Sequence, residues 1–206
     1  MKILFIDTSS FNVTISYIED NVIKFMFNDE IRDDMSSKIM PIIRDGSIES
    51  SIELSDLDRI IVCNGPGSFT GIRIGVTIAK TIAWALKKDI ITISTLELYA
   101  STSFDTKYII PMINARRGYV YAGVYDNNLN NVVSDKYIYM DDLNEYFAES
   151  TLVSYDDIEN TIKPNIDLVK LINKHINDEP ISCHAVNPNY LKLTEAEMNL
   201  NRSKND

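Results

Sequence analysis

Cysteine, histidine, tryptophan and glycine are scarce in this 206-residue chain, at two, two, one and seven. Cys63 and Cys183 lack the close spacing of a metal knuckle, and Cys63 stands in an apolar run, so reduced thiols and a cytoplasmic protein are expected rather than a disulfide scaffold. His175 and His184 are separated by Pro180, with no His-x-x-x-His or His-Glu-x-x-His anywhere, which leaves a helical zinc or iron site unsupported. With no second histidine near a serine or cysteine, nucleophilic triads also lack support. Positive charge is also short: 20 Lys and Arg against 30 Asp and Glu give a formal charge of −10. The bases are scattered apart from Lys87-Lys88 and Arg116-Arg117, so any service to RNA is expected to run through a partner. Acidity also serves plain solubility. No run approaches the roughly 18 apolar residues of a membrane span. The opening Met1-Lys2-Ile3-Leu4-Phe5-Ile6-Asp7 meets an acid too early for a secretory leader and reads as a buried strand.

What glycine there is sits together. Four of the seven fall in Gly65-Pro66-Gly67-Ser68-Phe69-Thr70-Gly71-Ile72-Arg73-Ile74-Gly75, directly after the apolar run Ile60–Cys63 and at the head of a helical pattern reaching Lys88. Strand, turn and helix in that order aim backbone N–H groups at one point, where an anion or a close-packed backbone fits. The spacing is not a P-loop, since the required lysine is missing, and Thr70 stands where a dinucleotide fingerprint needs its third glycine. A structural turn and an anion cradle both remain open.

The first hundred residues alternate in character. Lys2–Asp7 is apolar on both sides and belongs inside a sheet. Val13, Ile15 and Tyr17 alternate with Thr14 and Ser16 as a half-buried strand, and Val22–Phe27 completes an antiparallel meander. A helix is expected from Asp33 to about Gly46, with Met35, Ile39, Ile42 and Ile43 on one side and a kink at Pro41. A short helix near Leu54, strand Ile60–Cys63, helix Gly71–Lys88, strand Ile90–Ile93 and a helix from Thr95 follow. Three antiparallel strands, then helix, strand, helix, strand, resemble a ribonuclease H-like lobe. A looser second copy is expected from Lys107: strands Tyr108–Asn114, Tyr119–Tyr125 and Val132–Met140, then helical stretches Asp141–Glu149 and Ile166–Ile176. The polar tail after Thr194 is expected to fray. The division is therefore 1–104 and a smaller 105–206.

Gly71, Gly75, Ala79 and Ala83, spaced by four, form one small-residue stripe that admits a neighbouring backbone, from the chain's own sheet or from a partner's helix. Trp84 stands among polar neighbours, either as an interface anchor or tucked under a loop. Asp7, ahead of Thr8-Ser9-Ser10, can hold a hydrated magnesium ion near phosphates or cap its own turn. Arg116, in Asn114-Ala115-Arg116-Arg117-Gly118, can reach a phosphate across a cleft or pair within the turn.

Ile6-Asp7-Thr8-Ser9, the Gly65–Gly75 segment, Ala115-Arg116-Arg117-Gly118-Tyr119-Val120-Tyr121 and the ending Asn187-Pro188-Asn189-Tyr190-Leu191-Lys192 then Thr194-Glu195-Ala196-Glu197 together closely resemble the TsaB family of bacterial tRNA threonylcarbamoyladenosine-forming complexes. That resemblance implies an α/β, two-lobed actin-like, sugar-kinase-like ATPase fold with a reduced second lobe. It implies a non-catalytic subunit that binds and activates a TsaD-like transferase, is joined by a TsaE-like ATPase, and forms a similar homodimer alone. No catalytic residue, metal or cofactor is expected; a stand-alone actin-like ATPase is the alternative. The implied interface comprises Met35, Ile39, Ile42, Ile43, Gly71, Arg73, Gly75, Ala79 and Trp84, with Asp7, Thr8, Ser68 and Arg116 in a residual nucleotide cleft. The chain departs from the family's pattern at Asn114, Tyr119 and Met35.

Overall fold

A computed structural model describes residues 1–192. The first sheet has the order β3-β2-β1-β4-β5, built from β1 (Lys2–Asp7), β2 (Asn12–Glu19), β3 (Val22–Glu30), β4 (Arg59–Cys63) and β5 (Asp89–Ile93). β1 to β3 form the antiparallel meander, while β4 and β5 run parallel to β1. α1 (Met35–Ser50) and α2 (Phe69–Leu86) cover one face, packing Ile39, Ile43, Ile72 and Val76 onto Leu4, Ile6 and Ile15. α3 (Thr95–Ala100) covers the other face, where Ile3, Phe5, Ile61 and Ile93 meet Leu96 and Tyr99.

The second sheet, β8-β7-β6-β9, repeats the first four-strand pattern without its fifth strand. β6 (Tyr108–Asn114), β7 (Tyr119–Asp126) and β8 (Asn131–Tyr139) are antiparallel, and β9 (Ser150–Val153) pairs parallel with β6. Its inner face contributes Ile109, Ile113 and Tyr125 to the core under α3, so one apolar layer joins both sheets. α4 (Asn144–Phe147) lies on the outer side. After it the chain returns to the first lobe. α5 (Leu168–His175) buries Leu168, Leu171 and Ile172 beside Phe5 and Ile61, and Ile181 N–H donates to the Ile90 carbonyl at 2.9 Å.

Several expectations need correction. β2 is buried on both faces, because Thr14 and Ser16 satisfy their hydroxyls on Asn28 and the Phe25 carbonyl instead of facing water. β3 runs on to Glu30, and α1 continues past Gly46 to Ser50. There a Cβ would come within 2.6 Å of the Phe25 ring, so glycine serves packing rather than helix termination. The expected helix 141–149 is a 3-10 turn, Met140–Leu143, followed by the single turn of α4. β9 was not foreseen. α2, 18 residues at mean hydropathy 1.2, has the length and composition to cross a membrane, although Arg73 and Lys80 interrupt any continuous apolar run. Its buried stripe on the sheet accounts for part of that apolarity. The tail after Thr194, expected to fray, lies outside the described residues.

Candidate functional site

The glycine turn is a locked joint between β1 and α2. Gly65 adopts a φ of +118°, open to glycine but strained for other residues, and Gly65-Pro66 is cis. A Cβ on Gly67 would sit 2.3 Å from the Ser9 carbonyl oxygen, which accepts the Ser68 N–H. On α2, a Cβ on Gly71 would lie 2.1 Å from the Thr8 carbonyl oxygen, and one on Gly75 would lie 2.4 Å from Thr8 Oγ1. Thr8 Oγ1 donates to the Gly71 carbonyl at 2.7 Å. Ser68 caps the helix, its hydroxyl accepting the Gly71 N–H at 3.3 Å.

This geometry corrects the interface expected from the stripe. Gly71, Gly75 and Ala79 are buried against the chain's own β1 loop and sheet, and Ile39 and Ile43 are sealed in the same core. None of these five presents a surface to a partner. Met35 and Ile42 are half-buried, while Arg73 and Trp84 face outward, Trp84 with 64% of its surface exposed. Two outward apolar residues on α1, Met40 and Ile48, were missed; Ile48 is 70% exposed. They border a shallow groove of about 620 Å³ between α1 and the 3-10 turn Leu54–Asp56. Their exposure carries no sequence signal, because Ile48 continues an apolar spacing that reads as core.

A second hollow of about 400 Å³ lies between the lobes, walled by Ser9, Ser10 and Ser68 on one side and Asn114, Arg116 and Tyr121 on the other. Ser68 and Arg116 therefore share one cleft. Arg116 (φ +68°) and Arg117 (φ +57°) both take left-handed conformations, in a turn closed by the Tyr119 N–H donating to the Arg116 carbonyl. Asn114 steadies that turn by accepting the Arg116 N–H at 2.8 Å. Thr8 is turned away into α2, and Asp7 is sealed at the end of β1.

Burial raises the Asp7 pKa to about 6, against the opposing bond in which the Ser9 N–H donates to Oδ1 at 2.9 Å. Its Oδ2 has no hydrogen-bond partner among the described residues. A carboxyl sealed at 1% exposure and absent from the cleft wall is out of reach of a hydrated magnesium ion. The residues do not fit the magnesium-nucleotide site that ATPases of this shape would imply. Among the described residues, no three His, Cys, Asp or Glu side chains cluster as a metal site would need.

A polar knot missing from the sequence reading joins α3 to α5. Lys174 Nζ donates to Glu97 Oε1 at 2.6 Å, and His175 Nε2 meets the same oxygen at 3.0 Å. His175 Nδ1 faces Asp178 at 2.6 Å. Burial alone would depress the His175 pKa, but bonds to Glu97 and Asp178 outweigh it and hold it above its ordinary value. Burial likewise pushes Glu97 up, yet His175 and Lys174 bring it below the usual carboxylate range. The histidine is a clamp.

Comparison with known proteins bears on both the fold and the cleft. Residues 30–175 match the family described as TsaD, tRNA N6-adenosine threonylcarbamoyltransferase. The chain is 31% identical to the tRNA threonylcarbamoyladenosine biosynthesis protein TsaB of Bacillus subtilis, over 96% of each. It is 35% identical to the TsaB protein of Buchnera aphidicola subsp. Schizaphis graminum, over 61% of each. A solved Pseudomonas aeruginosa structure, described as an uncharacterized protein with similarity to peptidase YEAZ, superposes with a TM-score of 0.81 at 21% identity, covering 93% of this chain and 99% of that one. The fold is a two-lobed α/β fold with a reduced second lobe, shared with that Pseudomonas aeruginosa structure.

Proposed function

The chain belongs to the TsaB family of tRNA threonylcarbamoyladenosine biosynthesis proteins, and from that premise we propose that it acts as the non-catalytic subunit that binds and activates a TsaD-like transferase. The product is threonylcarbamoyladenosine beside the tRNA anticodon, with a TsaE-like ATPase joining the pair and a homodimer forming when the chain is alone. The observation that carries the docking part is the outward apolar set Met40, Ile48 and Trp84 on α1 and α2, two helices on one face of the first sheet. Exposed large apolar groups beside a groove favour a protein partner. Support for a non-catalytic subunit comes from the cleft, where Thr8 is committed to the Gly71 carbonyl and Asp7 is sealed. The same two facts weigh against a stand-alone ATPase.

Gel filtration of the chain with a TsaD-like subunit tests docking. Wild type co-elutes with it, while Trp84→Ala weakens association about 30-fold or more, the effect of losing one aromatic anchor. Ile48→Arg places a charge beside the groove at α1 and is expected to weaken association as well. Unchanged co-elution by both folded variants overturns the assignment of the surface.

A further inference from the structure

The cleft-side face of β7 and β8 carries four tyrosines that the docking role does not use. Tyr119 pairs across the strands with Tyr139, and Tyr121 with Tyr137. Tyr119 stacks on Tyr137 with ring centroids 4.7 Å apart and planes 6° from parallel, while Tyr139 meets Tyr119 edge-on at 5.3 Å. Tyr121 lies 5.7 Å from Tyr137 and lines the cleft. The ladder thus climbs from the cleft to a rim where Tyr119 and Tyr139 keep 38% and 42% of their surface in solvent. Val120 and Ala122 point the opposite way, into the core of the second lobe.

Positive charge without an ion-pair partner also stands at the rim. Arg116 and Arg117 are exposed in the turn directly before Tyr119, and among the described residues neither is in an ion pair. From the first lobe, Lys192 brings its ammonium 4.9 Å above the Tyr137 ring. It stands at the end of a strap held by the Asn189 N–H on the Asn64 carbonyl at 2.7 Å and by Arg73 Nε on Tyr190 Oη at 2.8 Å. A partly exposed aromatic rim bordered by arginine suits a strand of unpaired bases joined by phosphates: Tyr119 and Tyr139 offer ring surface to a base, and the arginines contacts to phosphate. A polyanion supplies both arginines with counter-charge at once.

We infer that the tyrosine rim of β7–β8, with Arg116 and Arg117, binds single-stranded RNA. The choice of RNA among polyanions rests on the tRNA-modification role proposed above. This departs from the expectation that tRNA is met only through partners. The overall charge of −10 limits the contact to a few nucleotides, so it serves to orient a loop and is weak on its own.

Fluorescence anisotropy with the full chain and a labelled seven-nucleotide single-stranded RNA tests the inference, beside the same sequence as a duplex and AMP as a competitor. Binding is expected to favour the single strand. Tyr139→Ala is expected to weaken it about 5- to 100-fold, the effect of losing one stacking ring, with Tyr139→Phe retaining it. Because the Tyr139 ring packs on Gly118, Arg117→Ala provides an independent arm. It is expected to flatten the slope of log affinity against log salt by about 0.7, one phosphate contact to a single strand. No detectable binding, equal binding of the duplex, full competition by AMP at the oligonucleotide's own affinity, or an unaltered affinity and salt slope in folded Tyr139→Ala and Arg117→Ala each overturn the inference. These outcomes leave the docking role standing, since that role fails when the transferase does not bind the chain or runs equally fast without it.

Discussion

Alanine at Gly75 places a Cβ 2.4 Å from Thr8 Oγ1, about an ångström inside ordinary contact, while the nearest other atoms lie beyond 3.4 Å. One hydroxyl therefore bears nearly all of the conflict. Overpacking of this size costs about 1–3 kcal/mol, and replacing a helical glycine by alanine returns about 1 kcal/mol. Gly75→Ala is then expected to lose about 0–2 kcal/mol, and at this chain length each lost kcal/mol lowers the melting temperature by about 2–4 °C. Thr8→Ala alone loses the bond to the Gly71 carbonyl, worth about 1 kcal/mol. In that background the clash is gone, so adding Gly75→Ala becomes neutral or stabilising by up to about 1 kcal/mol, a coupling of about 2 kcal/mol. Gly71→Ala behaves differently, because its Cβ meets the Thr8 backbone oxygen at 2.1 Å, which Thr8→Ala leaves in place. Urea unfolding of the wild type, the three single variants and the two doubles reads out the cycle. Rescue of Gly71→Ala as complete as that of Gly75→Ala, or no coupling at all between Gly75 and Thr8, refutes the packing described here.

The remaining predictions concern the clamp and the outer helix face. The His175 pKa is raised above its ordinary 6.5 on folding. The stability it contributes is therefore fully present below pH 6.5 and is lost as pH rises through the higher folded value. His175→Gln is expected to abolish that pH dependence, which urea midpoints across the range would detect; an identical profile in the variant contradicts the clamp. Trp84→Ala and Ile48→Arg, both on exposed positions, should change stability by no more than about 0.5 kcal/mol while weakening partner binding. A large fall in melting temperature would mean these side chains pack within the chain after all.

Much of the fold was legible because its strands are written in plain alternation or continuous apolarity. Lys2–Asp7 and Tyr108–Asn114 match β1 and β6 residue for residue, both being central strands of their sheets. β9 escaped because four residues, Ser150–Val153, are too few to display a period and follow a helical stretch directly. Burial of Thr14 and Ser16 escaped because alternation marks polarity, whereas their hydroxyls are satisfied by β3, a nonlocal fact. The stripe at Gly71, Gly75 and Ala79 announced a close approach but could not name the neighbour. The loop after β1 is 63 residues distant at the Thr8–Gly71 contact, and no local pattern records that separation. The same limit hid the Glu97–His175 pair, where two ordinary polar residues from separate helices meet only in the folded chain.

Reconstituted threonylcarbamoyl transfer to tRNA, with the TsaD-like and TsaE-like components held constant and this chain titrated in, addresses the central claim most directly. The rate is expected to rise with added chain to a plateau near one equivalent of transferase. The chain without the TsaD-like component is expected to give no product. Equal rates in the presence and absence of the chain, or transfer by the chain alone, would contradict the account.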